Sequence, residues 1–258
     1  MNTTTAVGKR AGLALKQGAA RASWGLLGLV LMWTVVSWSS NSIVIPKVGP
    51  FFRHAPGALA QMLHYHLIPT MVRVVAAYVL GTAAGLLVAS LMYVARPAEI
   101  VVEPWVDFCR SLPSAVVFPF FLAYFGIGQV SVTLPSAWVV FWITVFSTHR
   151  ELKDAASKRL AYLRRHGAHR WFIMRHLHLY ALAKSIFGNA RVCVSVALGV
   201  LIAMEMLAWS EPGIGAFVKM QQESNRFEEM SLGIAVAGIL GYCLNMPLQY
   251  LERRLVRW

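Results

Sequence analysis

Acidic residues are scarce in this chain: 11 Asp and Glu stand against 24 Lys and Arg, and charged residues of both signs make up only 14% of 258 positions. A soluble domain carries about 25%, so the sequence lacks the charge that would keep an ordinary globular surface in water. Cysteines are few as well. Cys109, Cys193 and Cys243 sit in apolar runs without metal-like spacing, which argues against a disulfide framework or a zinc module and makes them small core residues. No Gly-Lys-Ser/Thr phosphate loop occurs, so ATP hydrolysis is not expected of this chain. No internal repeat, low-complexity tract or convergent set of nucleophile, base and metal ligands appears either, and the last of these argues against an enzyme.

What the sequence has in excess is apolar length. Hydrophobic residues reach 57% and the mean hydropathy is +0.57, above the usual half of a soluble domain. Apolar runs at Gly25–Ile43, Thr70–Ala95, Ile100–Tyr124, Val130–Phe146, Ile186–Leu207 and Met230–Tyr250 are each long enough, or nearly so, for a hydrocarbon layer about 30 Å thick. The expected fold is all-α and polytopic, with about six transmembrane helices forming one membrane domain from residue 24 to 258 after a tail at 1–23. The third run is interrupted by Arg110 and Pro113 and also holds Glu103 and Asp107. Backbone freed by such a proline must be satisfied by protein. Between the first two runs, Pro46, Pro50, Pro56 and Pro69 with Gly49 and Gly57 mark a turn-rich external connector. Gly81 and Gly85 form a small-xxx-small pair that admits a neighbouring helix.

The cations are distributed unevenly. Nine lie between Thr148 and Lys184, where only Glu151 and Asp154 oppose them. With the amino terminus inside, seventeen of the 24 cations fall on the cytoplasmic side, so both termini are expected in the cytoplasm and the segment 148–184 becomes a cytoplasmic loop. Membrane topology therefore accounts for most of the +13 net charge, and no nucleic-acid recognition module accompanies it. Leu160, Leu163, Trp171 and Phe172 among the cations suit short amphipathic helices near the membrane surface, with Gly167 as the break between them.

Four blocks, in order, resemble the permease subunits of ATP-binding-cassette importers, in the branch that handles nitrate, sulfonates and taurine. The first is Arg110-Ser-Leu-Pro113, followed by Pro119 and Phe125-Gly-Ile-Gly128. The second is the loop around Gly167, the third is Glu205 followed by Gly213-Ile-Gly215, and the fourth runs from Leu251-Glu-Arg-Arg254 to Trp258. The resemblance implies the type I importer fold and a subunit that moves a small solute across the inner membrane by alternating access. It also implies partners: cytoplasmic ATPase subunits that bind the ATP, an external solute-binding protein and a second permease subunit, identical or different. No cofactor of its own follows.

The loop departs from the pattern. The family's Glu-Ala-Ala run falls on Ala161, Tyr162 and Leu163, and its Leu-Pro falls on Leu179-Tyr180, while Gly167 is kept. Arg164 and Arg165 leave a more basic docking helix, so residues 161–165 and Gly167 are the expected ATPase-coupling element. The eroded run leaves open a mixed permease pair, or a membrane scaffold or regulatory subunit that no longer transports.

Glu205 lies deep in a span, where an ionisable side chain needs a partner or water. It reads either as part of the translocation path or as the ion-pair partner of Arg73 or Arg191. Arg110 reads likewise, as an anion contact on the path or as the partner of Asp107 three residues earlier. Pro113, Gly126, Gly128, Gly213 and Gly215 are structural motif positions. His64 and His66, two histidines with no acid or cysteine beside them, read as a solvated turn, and no metal site is expected.

Overall fold

The computed structural model describes residues 28, 30–39, 48–165, 170–208 and 212–255, and every regular element among them is helical. In chain order these are α1 (Val30–Ser39), α2 (Val48–Met62), a single π turn (Leu63–Leu67), α3 (Ile68–Val94), α4 (Arg96–Ser111), α5 (Ser114–Phe125), α6 (Gln129–Arg165), α7 (Arg170–Ala208), α8 (Ile214–Glu223) and α9 (Phe227–Leu255).

Among the described residues, four stretches are long and apolar enough to cross a bilayer: Leu63–Val94, Gln129–Asp154, His178–Ala208 and Phe227–Glu252. The pair α4 and α5 makes a fifth if taken together, bent by 102° at the break between them. Of the sixth expected span, Gly25–Ile43, residues 28 and 30–39 are described, the latter as the short apolar α1; the rest lies outside the described residues.

The 102° break has a local cause. Leu112 precedes a proline and is held extended (φ −73°, ψ 125°), as is Pro113 (φ −61°, ψ 127°), so α4 ends and α5 restarts at Ser114. At the far end of α5, Gly126 takes φ +71°, a conformation glycine adopts without Cβ strain, and α6 begins three residues later.

Two expectations are corrected. The connector before the second span is not a run of turns: α2 carries Pro56 inside it and runs through the π turn into α3, so the apolar helix starts at Leu63 rather than Thr70. The basic segment does not break into short surface helices either. It continues the spans, because neither proline nor glycine occurs between Pro135 and Gly167 or from there to Gly188. At 37 and 39 residues, α6 and α7 are each about 55 Å long or more at 1.5 Å per residue. That exceeds a hydrocarbon layer of about 30 Å, so the hairpin they form projects beyond one face of the bundle.

Packing follows the small residues. A methyl group at Gly81 would come within 2.6 Å of the Ala137 carbonyl oxygen, and one at Gly85 within 2.7 Å of Thr144 Cβ. Helices α3 and α6 therefore cross in close backbone contact. Met62, Val74, Leu201, Met204, Ile214 and Phe217 form the main core toward one end of the bundle. A smaller core of Met92, Val106, Cys109, Trp142 and Val145 lies toward the hairpin end. Cys109 and Cys193 are buried as expected, whereas Cys243 is exposed. Leu87, Phe120 and Tyr124 are among many large apolar side chains facing outward, an exterior suited to hydrocarbon or to another apolar surface.

Candidate functional site

Glu205 sits in the last turn of α7 with its side chain fully enclosed, opposite Arg73 of α3, whose side chain is 4% exposed. The Arg73 Nη1 group donates to Glu205 Oε1 at 2.8 Å. Thr70, one helical turn earlier on α3, lies with Oγ1 at 2.8 and 3.0 Å from the two carboxylate oxygens. The backbone N–H of Gly215 donates to Oε2 at 2.9 Å. The Ile214 N–H donates to Thr70 Oγ1 at 2.9 Å, and the Arg73 Nε donates to Gln129 Oε1 of α6 at 2.6 Å. One carboxylate thus ties together α3, α6, α7 and the start of α8.

The glycines of the Gly213-Ile-Gly215 motif are needed for proximity. Gly213 is extended (φ −178°), a conformation open to any residue. A Cβ there, however, would fall 2.3 Å from Glu205 Cδ, and one at Gly215 would fall 2.2 Å from the Ile202 carbonyl oxygen. Only hydrogen at these positions lets the loop close over the carboxylate. Of the two candidate partners of Glu205, Arg73 is the one it meets; Arg191 instead approaches Glu252 of α9 at 3.6 Å.

His66 was expected in a solvated turn and is instead buried, at 8% exposure, in the π turn that leads into α3. Its Nδ1 lies 3.0 Å from the Gly213 carbonyl oxygen and 3.2 Å from the Gly213 nitrogen, and its ring packs on Phe217. No periodicity announces this role, because the contact spans 147 residues. The available signal was the absence of any helix breaker between His64 and Thr70 other than Pro69, which the first turn of a helix tolerates.

A second polar group closes the hairpin end. Lys153 Nζ on α6 lies 2.5 Å from Glu99 Oε1 and 3.6 Å from Glu103 Oε1 on α4, and His149 Nε2 lies 3.4 Å from Glu99 Oε1. Glu99, Glu103 and His149 bring one ligand atom each within 4.8 Å of one another, and the lysine ammonium supplies the positive charge between the two acids. Further along, Lys184 of α7 donates to Glu151 of α6 at 2.6 Å, and Thr148 meets Ser185 at 2.6 Å. Glu103 of α4 is therefore paired across helices, with Lys153 of α6.

Arg110 meets Asp107 through Nε and Oδ1 at 3.2 Å, one turn apart on α4, and its guanidinium lies 4.2 Å over the Phe146 ring. Pro113 makes the break and Gly126 the left-handed turn described above. Gly128 donates its N–H to Ser131 Oγ and accepts from it, at 3.2 and 2.9 Å, which starts α6. Ala161, Tyr162, Leu163, Arg164 and Arg165 form the last turns of α6; Gly167 lies outside the described residues.

An all-helical bundle with four, or up to five, helical stretches long and apolar enough to cross a bilayer among the described residues has the architecture of a polytopic membrane protein. The comparisons are specific: residues 81–258 match the family described as binding-protein-dependent transport system inner membrane component, and the chain belongs to that family. It is the permease subunit of an ATP-binding-cassette importer in the inner membrane, with the ATPase on a separate subunit. It is 25% identical to the taurine transport system permease protein TauC of Escherichia coli (strain K12), over 89% of this chain and 86% of that one. It is 23% identical to the putative aliphatic sulfonates transport permease protein SsuC of Bacillus subtilis (strain 168), over 94% and 91%. The bicarbonate transport system permease protein CmpB of Synechococcus elongatus matches at 20% identity over 90% and 88%. Among solved structures, a chain from the crystal structure of an amino acid ABC transporter with histidines shares the fold, with a TM-score of 0.61 at 16% identity, covering 81% of this chain and 99% of that one.

Proposed function

We propose that this permease moves a small oxyanion-bearing solute, of the sulfonate, taurine or nitrate-like kind, across the inner membrane by alternating access. The named cargoes of three relatives, taurine, aliphatic sulfonates and bicarbonate, support that class, while a fourth is named for riboflavin. The single observation that carries the mechanism is the α6–α7 hairpin. Two continuous helices run from inside the bundle to basic ends at Arg165 and Arg170 beyond it, so a push on those ends is delivered along the helices to the spans.

In this reading both termini and the hairpin turn are cytoplasmic, in line with the excess of Lys and Arg at that end. The tail at 1–23 stays on the same side. Residues 161–165 and Gly167 dock on the ATPase, and a second permease subunit completes the path. The Glu205 clamp, at the other end of α7, is the external closure that fixes α8 over the bundle. Its burial suits a structural lock on the outer gate rather than a solute contact.

The loss of the acidic residue at Ala161-Tyr162-Leu163 favours one other reading, a permease that relies on a different second permease for the stronger ATPase contact or that only scaffolds the complex. Reconstitution into vesicles with the ATPase and the binding protein separates them. Solute-stimulated ATP hydrolysis with this chain as the sole permease is the expected result; hydrolysis that requires a second, different permease supports the mixed pair.

A further inference from the structure

The group formed by Glu99, Glu103, His149 and Lys153 holds one member that ion pairing leaves unexplained. Glu99 and Glu103 stand four residues apart on α4, and His149 and Lys153 stand four apart on α6, so each helix presents its two side chains on one face. His149 and Lys153 fall in the last two turns of the Gln129–Asp154 stretch, where α6 passes from apolar span to basic hairpin. The Lys153 ammonium sits between the two acids. His149 has no such account: it is 7% exposed, and neither ring nitrogen makes a hydrogen bond among the described residues. An orphaned buried polar group asks for a partner. Its Nε2 reaches toward Glu99 Oε1 at 3.4 Å, close to the ~3.3 Å between two ligands of a tetrahedral zinc ion. One donor atom from each of Glu99, Glu103 and His149 lies within 4.8 Å of the others, and a cavity of about 280 Å³ opens beside them, with Glu103, His149 and Lys153 in its wall.

We infer that Glu99, Glu103 and His149 form a binding site for a divalent transition-metal ion of the zinc class, with Lys153 as the built-in cation that the metal displaces. One imidazole and two carboxylates suit zinc, whereas magnesium and calcium favour shells made of oxygen alone. A fourth position is left to water. Charge points the same way: the ammonium offsets one of the two negative charges, and a divalent ion offsets both. The exchange is sterically open, because the Lys153 side chain is 48% exposed and can swing away, and that of Glu103, at 54%, can turn inward. A metal held by these three residues ties the first half of α4 to α6 at the root of the hairpin. No motif in the sequence announces the site, because the donors come from two helices with α5 between them. The inference does not depend on the cargo of the permease.

The experiment uses the full chain in lipid nanodiscs, without a polyhistidine tag, stripped with chelator and titrated with zinc chloride or magnesium chloride in a calorimeter. A saturable zinc event is expected, with no matching event for magnesium. Because the chain has eight histidines, variants identify which zinc is this one. His149→Gln and Glu103→Gln are each expected to weaken it at least about 100-fold, the upper range for losing even a residue that only supports a ligand. His178→Gln, outside the donor set, is expected to leave it unchanged. Lys153→Met is expected to tighten it about 10-fold, since the competing like charge is gone; a variant that merely damaged the fold would change affinity in the opposite direction. Where His149→Gln fails to assemble, Lys153→Met therefore decides. No saturable zinc binding, equal affinity for magnesium, an unchanged zinc affinity in His149→Gln, or a Lys153→Met variant that binds zinc no tighter than the parent overturns the inference.

Discussion

At Glu205, three residues, Arg73, Thr70 and Gly215, converge on one charge. The carboxylate has a guanidinium, a hydroxyl and a backbone N–H around it and no solvent exposure. Removing one member of a buried pair leaves the other charge uncompensated, at a cost of about 3–5 kcal/mol. Arg73→Ala and Glu205→Ala are therefore each expected to lower the thermal stability of the detergent-solubilised protein strongly, and the double variant to lose less than the two added together. Additive losses in that cycle would mean the pair is not coupled. Gly213→Ala is expected to cost about 1–3 kcal/mol by overpacking, because the added methyl would fall 2.3 Å from Glu205 Cδ; a variant as stable as the parent would contradict the clamp geometry. Glu205 and the Gly-x-Gly spacing were visible in the sequence, and Arg73 stood among two possible partners. The backbone donor and His66 were not. Both depend on a loop folding back over residues far away in the chain, and no short-range pattern encodes that.

At the level of elements, the break and the hairpin are the departures from a bundle of simple spans. Pro113 and the charges around it marked the third span as irregular, and the structure turns that irregularity into a 102° bend. The hairpin was legible as a basic segment but not as two long helices. Amphipathic periodicity over a few turns cannot tell a surface helix from the extension of a span; the uninterrupted stretch without Pro or Gly on either side of Gly167 could. If the turn is the coupling element, Arg164→Glu with Arg165→Glu should uncouple ATP hydrolysis from transport while membrane insertion survives. The remaining cations at that end keep the orientation bias. Gly167→Pro should act in the same way by altering the turn, since proline fixes φ and removes a donor. Co-purification of the ATPase reads this out: undiminished association with normal transport in the double variant would remove residues 161–167 from the coupling role. Lys153→Met offers a contrast, because it leaves Glu99 and Glu103 facing one another without the ammonium between them. It should loosen α4 from α6, raising proteolysis near the break with the ATPase still bound; unchanged cleavage would show that the ion pair does not hold the two helices.

For the whole molecule, the two ends of the bundle are built differently. One is sealed by a buried network that joins α3, α6, α7 and α8; the other is held by partly exposed ion pairs between α4, α6 and α7. If the permease opens its two ends in turn, as proposed, the energy for it must come from the separate ATPase subunit, since this chain carries no nucleotide loop. The measurement that bears most directly on this account is ATP hydrolysis by the complex reconstituted in vesicles, with this chain as the permease, its ATPase, and the binding protein added to the outside. Loaded binding protein should raise the hydrolysis rate several-fold over the empty form and drive solute into the lumen, whereas equal rates with loaded and empty binding protein, and no solute accumulation, would contradict it.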